Sequence, residues 1–224
     1  MLDRLKKNIL LTGNYGCGKT NLAVNLALDY AKNGEKVTII DLDIVNPFFR
    51  TADFTKNLQS AGITVIASRY AGSPADVPSV PRETAAAFSS GNRVIADIGG
   101  DDAGAVALGR FADNIRAENS ADMLYLFSIY RPGSSAAEEL AENIKAIEAA
   151  SRLKVSYLIN SSNLGSETRG ADIELSLDFA KTLSRVTGIE LLATVVIKKF
   201  ADIVKDCYPI RRLVKLPWEP PEEF

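Results

Sequence analysis

The chain has 224 residues with 26 basic and 28 acidic side chains, and its formal charge of −2 gives no global signal for binding nucleic acid or a membrane surface. Apolar residues make up 46% of the chain and charged residues 24%, which is typical of a globular protein and excludes a largely disordered one. Histidine is absent, so any catalysis must do without the commonest general base and metal ligand.

The apolar runs and the cysteines indicate a cytoplasmic protein. The longest apolar runs have the length of a strand, and the segment before the first run is short and charged, so we expect neither a membrane span nor a signal peptide. Of the two cysteines, Cys17 lies in a glycine-rich loop where a disulfide to Cys207 would be awkward, which favours a reducing compartment. They form no C-x-x-C motif and have no metal-ligand spacing, which disfavours a zinc or iron–sulfur role.

Short apolar runs alternate with helical patterns along the chain. This alternation is typical of an α/β protein with a doubly wound, mostly parallel sheet flanked by helices on both faces. The predicted strands are 8–11, 36–40, 63–67, 93–96, 123–129, 155–159 and 191–197. Ser135 and Glu138 have the spacing of a capping box, and Gly188 is predicted to end a helix over 171–187. We expect one domain over 1–215 and an extended acidic tail over 216–224.

The first predicted strand runs into a phosphate-binding loop. Gly13, Gly18, Lys19 and Thr20 fill the fixed positions of G-x-x-x-x-G-K-[ST], and an apolar-periodic helix follows, which is the context that the motif requires. In such loops backbone N–H groups surround a phosphate, the lysine reaches the β- and γ-phosphates, and the hydroxyl binds Mg²⁺. A glycine-rich turn without a ligand is the weaker alternative. The predicted nucleotide-binding residues here are Gly13, Asn14, Tyr15, Gly16, Cys17, Gly18, Lys19, Thr20 and Asn21.

Two acidic motifs follow later predicted strands. Asp41 and Asp43 come after the run 36–40, and being two residues apart in extended chain they are expected to face the same way, toward the metal and γ-phosphate. Asp97 ends the run 93–96 and is followed by Gly100, a D-x-x-G pattern in which the glycine amide senses the γ-phosphate. The alternatives are a helix cap for one residue of the first pair and an ordinary Asp-Gly turn for the second motif.

The ordered motifs G-x-x-G-x-G-K-T, D-L-D-I-x-N-P and V-I-A-D-I-G-G resemble the ParA/MinD group of ATPases, a part of the SIMIBI class of P-loop proteins with CobQ/CobB/MinD/ParA nucleotide-binding domains. The resemblance covers residue 8 to about residue 100 with specific motifs. It implies ATP and Mg²⁺ as cofactors, with Lys19 and Thr20 on phosphate and Mg²⁺. It further implies that Asp43 orients the hydrolytic water and that Asp41 and Asp97 lie near the metal.

The resemblance also implies a nucleobase contact. A strand-terminal asparagine contacts adenine in that group, and Asn160 matches it. The sequence Asn160-Ser161-Ser162-Asn163 departs from the guanine-reading pattern N-K-x-D, which favours ATP over GTP. A buried or turn-forming asparagine remains an equal alternative.

One position departs from the resembled pattern. The group has an early lysine that reaches across a dimer to the partner's nucleotide, and Asn14 stands there. An amide cannot supply that positive charge, so activation through a nucleotide-sandwich homodimer is in doubt. Arg50, Lys198 and Lys199 are candidate substitutes, although each is more simply a solvated charge. Two neighbouring loop residues are also open: Tyr15 either stacks on a ligand or packs, and Cys17 either has a lowered pKa or is merely small.

Three functions are consistent with these motifs. The first is a slow Mg²⁺-dependent ATPase that repositions segments 43–50 and 98–105 as a switch for an unidentified protein partner. The second is a ligase-type, amidotransferase-type or kinase-like enzyme whose proline-rich loop 72–82, with Arg69 and Arg82, holds a small anionic substrate. The third is a nucleotide-binding scaffold without turnover. The basic stretch 198–215 is expected to pack against the body rather than to bind a membrane or DNA.

Overall fold

The computed structural model describes residues 1–43, 51–67, 81–100, 102–134, 136–205 and 207–214. Several predicted features therefore lie wholly or mostly outside the described residues: the I-x-N-P part of the second motif, Arg50, Arg69, the proline-rich loop up to position 80, and the acidic tail. In the described chain no helix is both long enough and apolar enough to cross a bilayer.

An eight-stranded parallel sheet organises the described chain. The strands are β1 (Asn8–Gly13), β2 (Val37–Leu42), β3 (Thr64–Ile66), β4 (Arg93–Ile98), β5 (Ala121–Phe127), β6 (Tyr157–Asn160), β7 (Leu191–Ile197) and β8 (Cys207–Ile210). Their order across the sheet is β3-β2-β4-β1-β5-β6-β7-β8, and every pair is parallel. The predicted doubly wound α/β fold is confirmed.

Seven α-helices of the described chain cover the sheet. They are α1 (Lys19–Lys32), α2 (Thr55–Ser60), α3 (Glu83–Phe88), α4 (Asp102–Gly109), α5 (Ala112–Glu118), α6 (Ala137–Ser151) and α7 (Gly170–Thr187). Gly188 ends α7 in the left-handed conformation at φ 71°, as predicted. The predicted capping box of α6 is wrong, because the extended N-cap position falls on Ala136 and Glu138 is therefore the second helical residue instead of the third.

The two faces of the sheet have separate cores because successive strand residues point in opposite directions. Ile9 and Ile39 pack on the face covered by α1 and α2, whereas Leu10 and Ile40 pack on the face covered by α3 to α7. All six residues of β1 are buried, which is why the centre of the strand, Ile9-Leu10-Leu11, is continuously apolar instead of alternating. Helices on both faces leave the carboxyl edge of the sheet as the place where loops converge.

Three central strands are longer than predicted. β1, β2 and β4 each continue two residues beyond the apolar run that predicted them, because pairing with neighbours on both sides carries the ladder past the last apolar residue. Asp41 and Asp97 consequently lie inside strands instead of after them, opposite each other in the β2–β4 register. The two acids of the second and third motifs are thus adjacent in the sheet.

The sequence did not predict β8. Its residues belong to the basic stretch 198–215, which Pro209 interrupts. β8 is nevertheless the last strand of the sheet and pairs with β7 alone, and an edge strand tolerates a proline. Tyr208 is buried in the core, so this part of the basic stretch packs against the body as expected.

Candidate nucleotide-binding site

The loop from Gly13 to Gly18 joins the central strand β1 to helix α1. Gly13 (φ 134°), Gly16 (φ 69°) and Gly18 (φ 88°) have positive φ angles, which glycine adopts without strain. A Cβ on Gly13 would lie 1.9 Å from the Leu126 carbonyl oxygen of β5, so only glycine fits at that crossing. Gly18 is the N-cap of α1, and the free N–H groups of that helix therefore open onto the loop.

Lys19 is folded inward over this loop. Its ammonium group donates to the carbonyl oxygens of Gly13 at 3.0 Å and Asn14 at 2.9 Å, and the side chain is buried. An ammonium has three donors, so one remains for a phosphate oxygen. The charge therefore lies where a phosphate cradled by the loop needs a counter-ion.

Asp97 joins three elements at the metal end of the site. Its Oδ2 accepts hydrogen bonds from Thr20 Oγ1 at 2.7 Å and from Thr51 Oγ1 at 2.9 Å. Burial raises the pKa of Asp97 to about 6, although the Thr20 hydrogen bond and the charge of Lys19 oppose that rise. A dehydrated carboxylate beside a hydroxyl is a good ligand for a hard divalent cation.

Asp41 and Asp43 lie next to this carboxylate. Asp41 is buried and its Oδ1 accepts the backbone N–H of Asp43 at 3.1 Å, while Asp43 is half-buried. The negative charge of Asp43 contributes to the raised pKa of Asp97, so the two carboxylates are electrostatically coupled. Within the described ranges no group of three or more His, Cys, Asp or Glu side chains could hold a metal ion alone. This donor set fits Mg²⁺, which usually takes one or two carboxylates together with substrate phosphates.

Gly100 lies directly on the phosphate loop. A Cβ at this position would be 2.9 Å from Lys19 Nζ, 2.9 Å from the Tyr15 backbone nitrogen and 3.0 Å from the Gly13 carbonyl oxygen. Only a glycine backbone can approach the lysine and the loop this closely. The third motif is therefore in contact with the first, as the switch prediction requires.

A family model confirms the predicted resemblance. The model of the CobQ/CobB/MinD/ParA nucleotide binding domain matches residues 9–203, which is most of the chain. The chain belongs to this family. The match extends far beyond residue 100, where the recognisable motifs end, and it includes β5, β6 and β7.

Individual relatives match shorter parts of this CobQ/CobB/MinD/ParA domain. Tyrosine-protein kinase YwqD of Bacillus subtilis (strain 168) is 38% identical over 66 residues, covering 29% of this chain and 27% of that protein. The cytosolic Fe-S cluster assembly factor NUBP2 homolog of Culex quinquefasciatus is 44% identical over 48 residues, covering 21% of this chain and 19% of that protein. The chain thus matches less than a third of the length of either relative.

Solved structures show the same fold at low sequence identity. The cell division protein FtsY of Thermotoga maritima superposes with a TM-score of 0.60 at 18% identity, covering 85% of this chain and 61% of that one. The signal recognition particle 54 kDa protein of Aeropyrum pernix K1, solved in complex with GDP, superposes with a TM-score of 0.51 at 21% identity, covering 82% of this chain and 40% of that one. Both likenesses concern the fold alone.

Asn14 of this family member faces its own subunit. It is buried, and its Nδ2 donates to the Gly133 carbonyl oxygen at 3.3 Å and to Ser134 Oγ at 3.0 Å. Its Oδ1 lies 2.8 Å from Tyr125 Oη. The amide at the position of the early lysine therefore ties the phosphate loop to the segment that follows β5.

The neighbouring loop residues resolve two open alternatives. Tyr15 is 66% exposed, so the alternative that it packs is wrong and its ring is available to a ligand or partner. Cys17 is buried, and burial raises the pKa of its thiol while the charges of Lys19 and Arg131 oppose that rise. The interpretation that this thiol has a lowered pKa is wrong, because desolvation outweighs the helix N-terminus and the nearby cations.

The Asn21 side chain holds the end of the described chain. Its Oδ1 accepts the backbone N–H groups of Leu213 at 2.9 Å and Val214 at 3.0 Å, and its Nδ2 donates to the Arg211 carbonyl oxygen at 3.0 Å. Any nucleotide contact at this position would therefore come from the backbone. The amide instead fixes the segment 211–214 beside the amino-terminal turn of α1.

Asn160 is fully buried at the end of β6. Its Nδ2 donates to Ser176 Oγ at 2.8 Å, and its Oδ1 accepts from Ser162 N at 3.1 Å and Oγ at 2.7 Å. In the structure this side chain is therefore a buried asparagine with internal hydrogen bonds, which was the alternative to an adenine contact. The adenine contact stays a prediction, and it would require the amide to exchange an internal partner for the base.

The sequence interpretation missed Thr51, Tyr125, Arg131 and Ser134 as members of the site. Thr51 and Ser134 carry no local signal, because their roles come from hydrogen bonds to Asp97 and Asn14 across the fold. Arg131 also carries no local signal, because only the pairing of β1 with β5 brings the segment after β5 beside the phosphate loop. Of the cations predicted to replace the lysine, Arg50 lies outside the described residues, and Lys198 and Lys199 lie in the short helical turn after β7.

Proposed function

We propose that this domain binds ATP together with Mg²⁺, hydrolyses it slowly and uses its nucleotide state as a switch for a protein partner in the cytoplasm. The observation that carries the proposal is the contact of Gly100 with Lys19 and the phosphate loop. A γ-phosphate bound by Lys19 would contact the Gly100 backbone, and loss of that phosphate would free the backbone to move. The segment around Gly100 therefore responds to the difference between ATP and ADP.

The metal end of the site supports the same proposal. In this scheme Thr20 coordinates Mg²⁺, Asp97 and Asp41 hold the ion directly or through its water molecules, and Asp43 orients the attacking water. Because Asp97 also bonds Thr51, binding of the ion would be transmitted to the segment that follows β2. Catalysis then consists of positioning and charge stabilisation, which is how P-loop proteins accelerate phosphoryl transfer.

The proposal of ATP as the nucleotide rests on residues 160–163. Their side chains include no lysine and no acid, so the guanine-reading N-K-x-D pattern is missing there. The Aeropyrum pernix neighbour was solved with GDP, so GTP is the competitor to test. Competition between the two nucleotides for one labelled ATP analogue measures this preference directly.

A phosphate-release assay tests the proposed turnover. We expect Mg²⁺-dependent release from ATP by the wild type, and a loss of at least tenfold in Lys19→Ala and Asp43→Ala. Lys32→Ala, an exposed lysine at the far end of the same helix, is the matched control and should keep the wild-type rate. Equal rates in all four proteins would rule out hydrolysis at this site, and tight ATP binding without release would favour the scaffold function.

A phosphoryl-transfer enzyme is the second candidate. It is supported by the 38% identity to a tyrosine-protein kinase over 66 residues. In that case the γ-phosphate would pass to an acceptor hydroxyl or carboxylate instead of water. Incubation with γ-labelled ATP and a panel of small acids and peptides would separate the candidates, since transfer leaves label on the acceptor and hydrolysis leaves it on inorganic phosphate.

A further inference from the structure

The segment 128–134, which follows β5, is attached to the phosphate loop at a defined place. Asn14 Nδ2 donates to Gly133 and Ser134, so the orientation of the amide is set and its Oδ1 must accept. Tyr125 Oη lies 2.8 Å from that Oδ1 and 2.9 Å from Asn143 Oδ1. Both amide oxygens are thus within reach of the Tyr125 hydroxyl as donor, and this hydroxyl connects the phosphate loop to β5 and α6.

This attachment brings Arg131 onto the loop. A Cβ on Gly16 would lie 3.4 Å from Arg131 Nε and 3.6 Å from its Cδ and Cζ, so the guanidinium group lies beside the phosphate loop, next to the space that a side chain at position 16 would fill. Gly16 has no side chain that would displace the guanidinium group. Arg131 is exposed, and among the described residues no ion pair or side-chain hydrogen bond occupies its guanidinium group.

We propose that Arg131 binds the phosphates of the nucleotide held by its own subunit, as a second cation of the loop beside Lys19. The proposal rests on the ATP-binding function proposed above. A guanidinium group presents a planar fork of donors that matches two phosphate oxygens, and it stays charged at any physiological pH. Asn14 is then a positioning residue, because it fixes the segment that carries this charge. Asn14, at the position of the absent lysine, thus helps to place another cation of the same chain beside the phosphates.

Variants of Arg131 test the proposal against a remote arginine. We expect Arg131→Ala to weaken ATP binding about tenfold and to lower kcat for phosphate release about 10²-fold. Arg131→Lys should recover part of the ATP affinity but little of kcat, because an ammonium is a point charge without the fork. Arg185→Ala, an exposed arginine at the carboxyl end of α7 on the opposite edge of the sheet, should match the wild type.

Asn14→Ala tests the positioning role. It should lower kcat by a smaller factor than Arg131→Ala does. When Asn14→Ala is added to Arg131→Ala, kcat should fall almost no further. Full additivity of the two effects would show that Asn14 does not act through Arg131.

Mixing experiments decide whether the arginine acts within its own subunit. Arg131→Ala has an intact Lys19, and Lys19→Ala has an intact Arg131, so their mixture would regain activity only if the arginine served a partner's nucleotide. We expect no recovery of activity in the mixture. For the wild type, we expect the rate of phosphate release to be proportional to the protein concentration. Recovery in the mixture would overturn the assignment to one subunit.

The same measurements separate this proposal from the proposed function. If the wild type binds no ATP by calorimetry, both fail. If the wild type binds ATP in a Lys19-dependent way and Arg131→Ala binds and turns over equally well, only the Arg131 proposal fails. If the wild type binds ATP without turnover, the ATP affinities alone test the Arg131 proposal. Weaker binding by Arg131→Ala than by Arg185→Ala would support it, and equal binding would overturn it. Melting curves confirm that each variant is folded.

Discussion

Thr20 Oγ1 donates a 2.7 Å hydrogen bond to Asp97 Oδ2, which joins the first turn of α1 to the carboxyl half of β4. Thr51 donates to the same oxygen, so one buried carboxylate connects the phosphate loop, the sheet and the segment after β2. A cation that binds Thr20 and Asp97 must therefore rearrange this network. The consequences can be measured without a known partner.

The first prediction concerns the stability of the ligand-free protein. Burial raises the pKa of Asp97 from 3.8 to about 6, so the folded state binds this proton more tightly than the unfolded state. Stability from this group is therefore present at low pH and is lost as the pH rises from about 4 to about 6, at a cost of about 3 kcal/mol. Asp97→Asn, which has no such titration, should be more stable than the wild type at about pH 7.5 and lose most of that advantage by about pH 4.

Urea unfolding of the two proteins at several pH values measures this difference. The difference in free energy of unfolding should grow between about pH 4 and about pH 7 and then stay constant. Parallel stability curves over that range would show that Asp97 does not have a raised pKa in the folded protein.

The second prediction concerns Mg²⁺. Protons and the cation compete for Asp97, so Mg²⁺ with ADP should raise the melting temperature more at pH 7.5 than at pH 5.5. Addition of a chelator should reverse the increase, and Asp97→Asn should show a smaller increase with little pH dependence. An equal Mg²⁺ effect in the wild type and Asp97→Asn at both pH values would exclude Asp97 from the metal site.

The third prediction concerns Gly100. The Cβ of Gly100→Ala would meet the Tyr15 nitrogen and the Gly13 carbonyl oxygen, which are backbone atoms and cannot swing aside. The variant should displace its own segment or the loop, and we expect at least a tenfold loss of phosphate release with a smaller loss of ADP affinity. Gly34→Asn is the control, because nothing lies within 4 Å of a Cβ there and asparagine tolerates its positive φ. Wild-type turnover in Gly100→Ala would remove the switch role from this glycine.

The fourth prediction concerns Tyr125. Tyr125→Phe leaves the buried Asn14 Oδ1 without its donor, and we expect a loss of about 1–3 kcal/mol in the free energy of unfolding. Asn143→Ala, which removes an exposed amide at the other side of the hydroxyl, should cost less than about 0.5 kcal/mol. Equal losses in the two variants would mean that the hydroxyl serves Asn143 as much as Asn14.

The fold and the phosphate loop could be predicted because their signals are local. Glycines at fixed spacing, a strand before them and a helix after them lie within about twenty residues, and apolar runs mark buried parallel strands. The helix end at Gly188 was predictable for the same reason. β8 was not, because an edge strand needs little apolar sequence and tolerates Pro209, so its residues read as an interrupted basic stretch.

The second half of the site could not be predicted because its contacts are distant in sequence. Asn14 and Ser134 are 120 positions apart, and only the pairing of β1 with β5 brings their loops together. Asp41 and Asp97 were each found by motif, but their adjacency comes from the β2–β4 register. Arg131 could not be predicted as a neighbour of the loop, because its place there depends on the same β1–β5 pairing.

Calorimetric titration of the purified protein with ATP and Mg²⁺ tests the central claim most directly. The account predicts saturable binding near one nucleotide per chain, which is reduced at least tenfold in Lys19→Ala and retained in Lys32→Ala. The absence of heat with ATP at millimolar concentration, or equal binding by the wild type and Lys19→Ala, would contradict a nucleotide site built on this loop.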